Sequence, residues 1–388
     1  MEETILSTKE KSKDKPKVLK FILAHMMPTI ALIAAAVTCF FVAPDKEYGG
    51  YFNLSTLSTL FCTLAVVAAF KNIRFFTWLA KKIVVKAGTL RNLVFALTFI
   101  TYFGSMIMAN DMALITFLPL GYVALYSSHR KDKMPIVFVL QNVAANLGGM
   151  LTPFGNPQNL YLYSYYRLHN LQFLKIMALP FAVAFVLILG VCLTVKNDKI
   201  ALMTEPEATP SVWRSIVYAA LFALSVLIVF NVLPWYVCLA VVVVGLAVLD
   251  AKCLLNVDYG LLVTFCAFFV FSGNLSRIES VRTLLSDLVA HSPLLVGVAS
   301  CQVISNVPTA LLLSRFTADA ANLIVAVNIG GLGTPIASLA SLITLNEFKK
   351  NEPSKLKNYV ITFLIVNFGF LAVLIGAQLL WNALGIVA

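Results

Sequence analysis

The sequence predicts an all-α polytopic membrane protein built from inverted repeats, each with a re-entrant hairpin and a broken transmembrane helix. Three observations lead there. The 388 residues are 60% hydrophobic and only 12% charged, with a mean hydropathy of +0.88, a composition foreign to soluble domains. Two apolar segments are interrupted at membrane depth by glycine, proline and asparagine. Those interruptions share a motif, NLGGMLTP at 146–153 and NIGGLGTP at 328–335, with Asn, two Gly, Thr and Pro at the same spacing.

Residues 1–20, with six lysines and four acids, read as a cytoplasmic tail. The apolar run 21–43 is longer than a signal-peptide core and forms a retained first helix. A second span covers 51–70, and 71–91 sets Lys and Arg around apolar positions, as suits an amphipathic helix on the membrane surface. Segment 92–128 places Asn110 and Asp111 alone among hydrophobes, between two arms too short to span separately. It reads as a re-entrant hairpin.

Segment 134–166 is the first broken helix. Proline removes a donor and glycine relaxes the backbone, so it should open near Thr152–Pro157. An opened backbone is tolerated in a bilayer only where protein buries it or it lines a wet cavity. A span at 171–195 completes the first half (21–195), and the polar, proline-bearing stretch 196–212 is a cytoplasmic linker. The second half (213–388) has spans at 213–231, 234–251 and 257–275, then the amphipathic piece RIESVRTLLSDLV. A hairpin at 293–318 contains ISNVPTALLL, a broken helix at 320–346 contains NIGGLGTPIASLAS, and a last span covers 359–384.

Of the 29 Lys and Arg, 23 fall in segments that this topology puts on one side, which positive-inside bias makes the cytoplasmic side. The amino terminus is then cytoplasmic and the protein multi-pass in the cytoplasmic membrane. The first hairpin begins inside and the second outside, so the repeats are inverted, the architecture of alternating-access transporters. The net charge of +11 comes from these loops; no basic stripe with aromatics points to nucleic acid. Seven scattered cysteines show no CxxC spacing and read as packing residues. No Walker motif, HExxH or GxSxG elbow is present, so neither direct ATP drive nor an intramembrane enzyme is expected.

ANDMALITFLPL, NVAANLGGMLTPFGNPQN, SNVPTALL and NIGGLGTPIASLAS, in this order, resemble the ion transporter superfamily of arsenite permeases, divalent anion/sodium symporters and citrate permeases. The resemblance implies that each hairpin tip and its facing broken-helix loop coordinate substrate and coupling cation. It nominates Asn110, Thr152, Asn156, Ser305, Asn306, Thr309, Thr334 and Ser338 for substrate. For the coupling ion it nominates Asp111, Asn110, Gly149, Asn146, Asn306 and Asn328, with Na+ at Asp111, Asn110 and Asn306. It also implies a homodimer, with Na+ or H+ as coupling ion and no further cofactor.

The symporters carry Ser-Asn-Thr at both tips, whereas this chain has Ala109-Asn110-Asp111 and Ser305-Asn306-Val307. Asp111 would repel a dicarboxylate unless a proton or Na+ neutralised it, which gives weight to a neutral or weakly acidic cargo such as arsenite. The expected function is a secondary active transporter of a small anion or oxyacid, arsenite-like or carboxylate. A Na+/H+ antiporter is the alternative, and a passive anion channel a remote one. Plainer readings stand beside these. Asp111 can serve as a helix cap, and glycines 148, 149, 330 and 331 can serve close helix packing. His25, Arg277 and Arg315 suit the interface, and tyrosines 161, 163, 165 and 166 an aromatic belt.

Overall fold

Residues 26–201, 207–230 and 232–385 are described by a computed structural model; the expected tail 1–20 and His25 lie outside the described residues. The first half contains α1 (Met26–Cys39), a 3-10 turn (Lys46–Tyr51), α2 (Leu54–Asn72), α3 (Phe75–Val84), α4 (Leu90–Gly104) and α5 (Asn110–Ser127). It continues through α6 (Met134–Gly148), α7 (Pro157–Tyr165) and α8 (Asn170–Thr194). After α9 (Val212–Val229) come α10 (Trp235–Leu255), α11 (Tyr259–Arg277), α12 (Glu279–His291), α13 (Pro293–Ile304) and α14 (Asn306–Leu313). The chain ends with α15 (Ala320–Ile329), α16 (Leu339–Asn351) and α17 (Leu356–Ala383). Among the described residues, seven helices are long and apolar enough to cross a membrane, eight if the pair α12–α13, bent by 118°, counts as one span.

Local chemistry sets many of the starts. Side chains of Asn53, Thr89, Asp258, Ser292, Asp319 and Ser338 each accept from a backbone N–H in the first turn they precede. Pro135, Pro157 and Pro293 sit in first turns, where their missing N–H leaves no bond unmade. Both hairpins (α4–α5 and α13–α14) and both broken helices (α6–α7 and α15–α16) form as the sequence predicts. Several boundaries move by three to five residues. The polar turn after α1 coils into a 3-10 turn, so α2 starts at Leu54, and α16 continues to Asn351 because NEFKKN carries on as helix after its apolar face ends.

Contacts repeat across the halves in the way a pseudo-twofold axis requires. α1 packs on α11 and α10 on α2; α4 on α6 and α13 on α15; α5 on α16 and α14 on α7; α6 on α17 and α15 on α8. Each hairpin thus packs on its own half's broken helix, and its second arm also reaches the other half's. α6 is almost wholly enclosed, whereas α8, α9, α10 and α17 leave most of their apolar surface outward, as lipid-facing spans do.

Arg277 and Arg315 are more engaged than interfacial placement predicts. Arg277 donates to Asp45 Oδ1 and Oδ2 at 3.0 and 2.6 Å and to the Tyr51 hydroxyl at 3.0 Å, and this pairing holds the Asp45 carboxyl below its ordinary range. Arg315 bonds Ser272 and lies over the Tyr51 ring. The tyrosines are not a belt either. Tyr161 and Tyr163 are buried; Tyr161 bonds Ser314 Oγ at 2.9 Å, and the Tyr166 hydroxyl donates to Thr317 O at 2.9 Å. They fasten α7 to the second hairpin.

Candidate functional site

Four helix N-termini, those of α5, α7, α14 and α16, converge on a cavity of about 440 Å³. The hairpin tips supply Asn110, Asp111, Ser305, Asn306 and Val307; the broken helices supply Pro157, Gln158, Ser338 and Leu339. The rest of the cavity is lined by Met27, Pro28, Asp258, Thr264 and Asn346 among others. Convergent helix N-termini give unpaired N–H groups and positive dipole ends, which favour an anionic or oxygen-rich guest.

Each tip asparagine organises its own turn. Asn110 Oδ1 accepts from Asp111 N at 3.0 Å, and Asn306 Oδ1 accepts from Val307 N at 2.9 Å. Ser305 sits at φ +73°, a conformation that side chains rarely adopt. It is held there by bonds from its hydroxyl and from Asn306 N to Ala337 O, at 3.3 and 2.9 Å.

Behind the tips lies a buried asparagine layer that crosses the pseudo-axis. Asn146 Oδ1 accepts from Asn110 Nδ2 at 3.1 Å and from Ser338 Oγ at 2.8 Å. Asn328 Oδ1 accepts from Asn156 Nδ2 at 3.3 Å, and Asn328 Nδ2 donates to Asn159 Oδ1 at 2.6 Å. In the repeat alignment Asn146 matches Asn328 and Asn156 matches Ser338, so one cross-link is made twice, once in each direction. Gly149 permits it: a Cβ there would lie 2.5 Å from Asn156 Oδ1.

The nominated residues therefore separate. Asn110, Asp111, Ser305, Asn306 and Ser338 line the cavity, whereas Asn146, Asn156, Asn328 and Gly149 form the layer behind it. Thr152, Thr309 and Thr334 give their hydroxyls to Met106 O, Ser305 O and Gln302 O, at 2.7, 2.7 and 3.1 Å. The opened backbones are satisfied differently in the two halves. Asn159 Nδ2 reaches Gly149 O, Met150 O and Thr152 O at 3.3–3.4 Å. Gln302 Nε2 donates to Gly330 O and Leu332 O at 3.0 and 2.9 Å, while its Oε1 accepts from Thr334 N at 2.8 Å.

Three lining features escaped the sequence reading. Asp258, which caps α11, brings a second carboxylate to the cavity; in sequence it is an ordinary acid at a span start. Gln158 is 1% exposed and makes no hydrogen bond to the protein. No Lys, Arg or His is among the described residues lining the cavity. Asp111 is half-buried and its Oδ1 has no partner. A buried acceptor left so costs about 1–3 kcal/mol unless a ligand, ion, proton or water serves it.

A multi-pass helical protein whose inverted halves enclose a cavity with hairpin tips and broken-helix ends is a membrane transporter. The profile of the citrate transporter family matches residues 18–323, and the chain belongs to that family. It is similar to an uncharacterized transporter of Methanocaldococcus jannaschii, 33% identical over 297 residues that cover 75% of this chain and 80% of that protein. It is also similar to the inner membrane protein YbiR of Escherichia coli, 28% identical over 325 residues, 81% of this chain and 86% of that one. The solved Alcanivorax borkumensis YdaH transporter shares its fold with a TM-score of 0.56 at 11% identity, covering 94% of this chain and 98% of that chain.

Proposed function

We propose that the protein is a secondary active transporter that carries a small anion or oxyacid by alternating access, coupled to H+ or Na+. One observation carries the reading: both hairpin tips and both broken-helix N-termini meet in a single cavity that also holds Asp111 with an unpartnered oxygen. The family's name favours a carboxylate cargo. With two carboxylates and no cationic side chain among the described lining residues, an anion is held only when protons or Na+ neutralise the acids. In this reading Asp111 takes that role, with Asn110 and Asn306 lining the same cavity.

Residues at the starts of α1 and α11 and from α16 line part of the cavity, toward the end of the molecule that carries most of the basic loops. Positive-inside bias makes this the cytoplasmic face and the conformation inward-facing. A homodimer belongs to the same proposal. A Na+/H+ antiporter is the second reading, favoured by Asp258 joining Asp111 at one cavity.

Purified protein in proteoliposomes tests the assignment, with citrate, succinate and arsenite as cargoes under imposed H+ and Na+ gradients. Uptake of at least one should follow a gradient and show counterflow, and Asp111→Asn should abolish the dependence on the driving ion. An unchanged ion dependence in Asp111→Asn would remove Asp111 from coupling. Ion exchange without movement of any cargo would favour the antiporter.

A further inference from the structure

With the tip asparagines Asn110 and Asn306 superposed, Asp111 pairs with Val307, and the broken-helix motifs pair Gln158 with Ala340. These four residues hold the second positions of α5, α14, α7 and α16. The polar pair belongs to one half and the apolar pair to the other. Asp111 and Gln158 line the same cavity, and each has a buried oxygen without a partner. The Gln158 carboxamide is 1% exposed, and neither end of it bonds the protein.

A carboxamide offers a donor and an acceptor side by side, and at a cavity wall an unpartnered one calls for a complement from water, an ion or a guest. The matching group is an acid head in its protonated form: its O–H donates to an acceptor oxygen while its other oxygen accepts from an amide N–H. The uncapped α7 N-terminus adds the Gln158 N–H on the same side, since Pro157 has none and the Asn159 and Leu160 N–H groups bond Asn156 O. The lack of a cationic side chain among the described lining residues agrees with a head group that arrives without full charge.

We infer that Gln158 is a specificity-determining residue that hydrogen-bonds the protonated acid head of the cargo, lodged off the pseudo-axis against Asp111. The inference rests on the transporter reading above and deepens it. Its counterpart Ala340 gives no such contact, so the cargo is held by one half of the molecule. Sites built to hydrogen-bond a substrate hydroxyl discriminate strongly against analogues without it, because their own polar groups are then left unpaired.

The test uses wild-type protein, Gln158→Ala and Gln158→Met, the last keeping most of the side-chain volume while removing donor and acceptor. Half-saturation for citrate, succinate and arsenite is read by thermal stabilisation in detergent across pH, with gradient-driven uptake in proteoliposomes alongside. Both variants should weaken the preferred probe at least tenfold, about 1.4 kcal/mol, while uptake still depends on the driving ion. In wild-type protein, affinity should follow the protonated fraction of the probe. Unchanged half-saturation in Gln158→Met overturns the assignment and leaves the transport reading standing. Stabilisation by Na+ alone that Gln158→Met abolishes would make Gln158 an ion ligand and also overturn it. If no probe binds or enters with wild-type protein, the cargo class fails and takes the inference with it.

Discussion

Gln302 shows how one residue keeps an open backbone stable inside a membrane. Its carboxamide serves two carbonyls and one N–H of the loop 330–334, and Gly333, at φ +105°, leaves it room that a Cβ would take. The matching position in the first half is Met106, because there Asn159 serves the loop from the other end. Gln302→Met therefore leaves three loop groups unserved, at about 1–3 kcal/mol for each that stays buried and unpaired. A clearly lowered melting temperature in detergent is expected, with Met106→Gln near neutral; equal melting of wild type and Gln302→Met would sink the argument. The sequence marked Asn110, Asp111, Ser305 and Asn306 because polar residues stand out in apolar runs. It could not separate cavity-lining residues from those behind, since Thr152 and Asn156 carry the same polar signal whether they face a guest or a carbonyl. Gln158 and Asp258 were missed for the opposite reason: each sits at a helix start, where a polar residue is unremarked.

Among elements, the contact between α3 and the linker is electrostatic. Glu207 accepts from Lys81 at 2.5 Å and from Arg74 at 2.8 Å, and those bonds, Lys81's first, hold its carboxyl below the ordinary 4.5. A group with a lowered folded pKa stabilises the folded contact above its unfolded value, and that contribution is lost as pH falls through the lower, folded one. Spin labels at Leu79 and Ala208 should keep one distance from pH 7 to 5 and spread only in stronger acid. Spreading already at pH 6 would mean that Glu207 does not hold the contact. Hairpins, broken helices and spans were legible because apolar runs and their breaks survive without tertiary information. The 3-10 turn was not: DKEYGG reads as a plain turn, and its coil is fixed by Tyr51 packing on Gly273, where a Cβ would stand 2.5 Å from the ring, and by Asp45 gripping Arg277.

For the whole molecule, the charge bias predicts opposite sides for the loop 130–133 and for α12. In a background without native cysteines, Lys131→Cys should react with an impermeant maleimide only from the cytoplasmic side. Glu279→Cys should react only from the other. Labelling of both from one side would refute the inverted arrangement of the halves. That inversion was readable from lysines, arginines and a shared motif, but the contact of each hairpin's second arm with the other half was not, because no short-range pattern records which helix a tip will meet. The unequal halves carry a consequence of their own. Were they identical, the two arrangements in which they trade roles would be degenerate, each occupied half the time. Asp111 set against Val307, and Gln158 against Ala340, lift that degeneracy, and about 1.4 kcal/mol between the two arrangements already gives a tenfold preference. The empty carrier would then rest facing one compartment, with a built-in sense of direction that protonation or cargo at a single side chain can reverse.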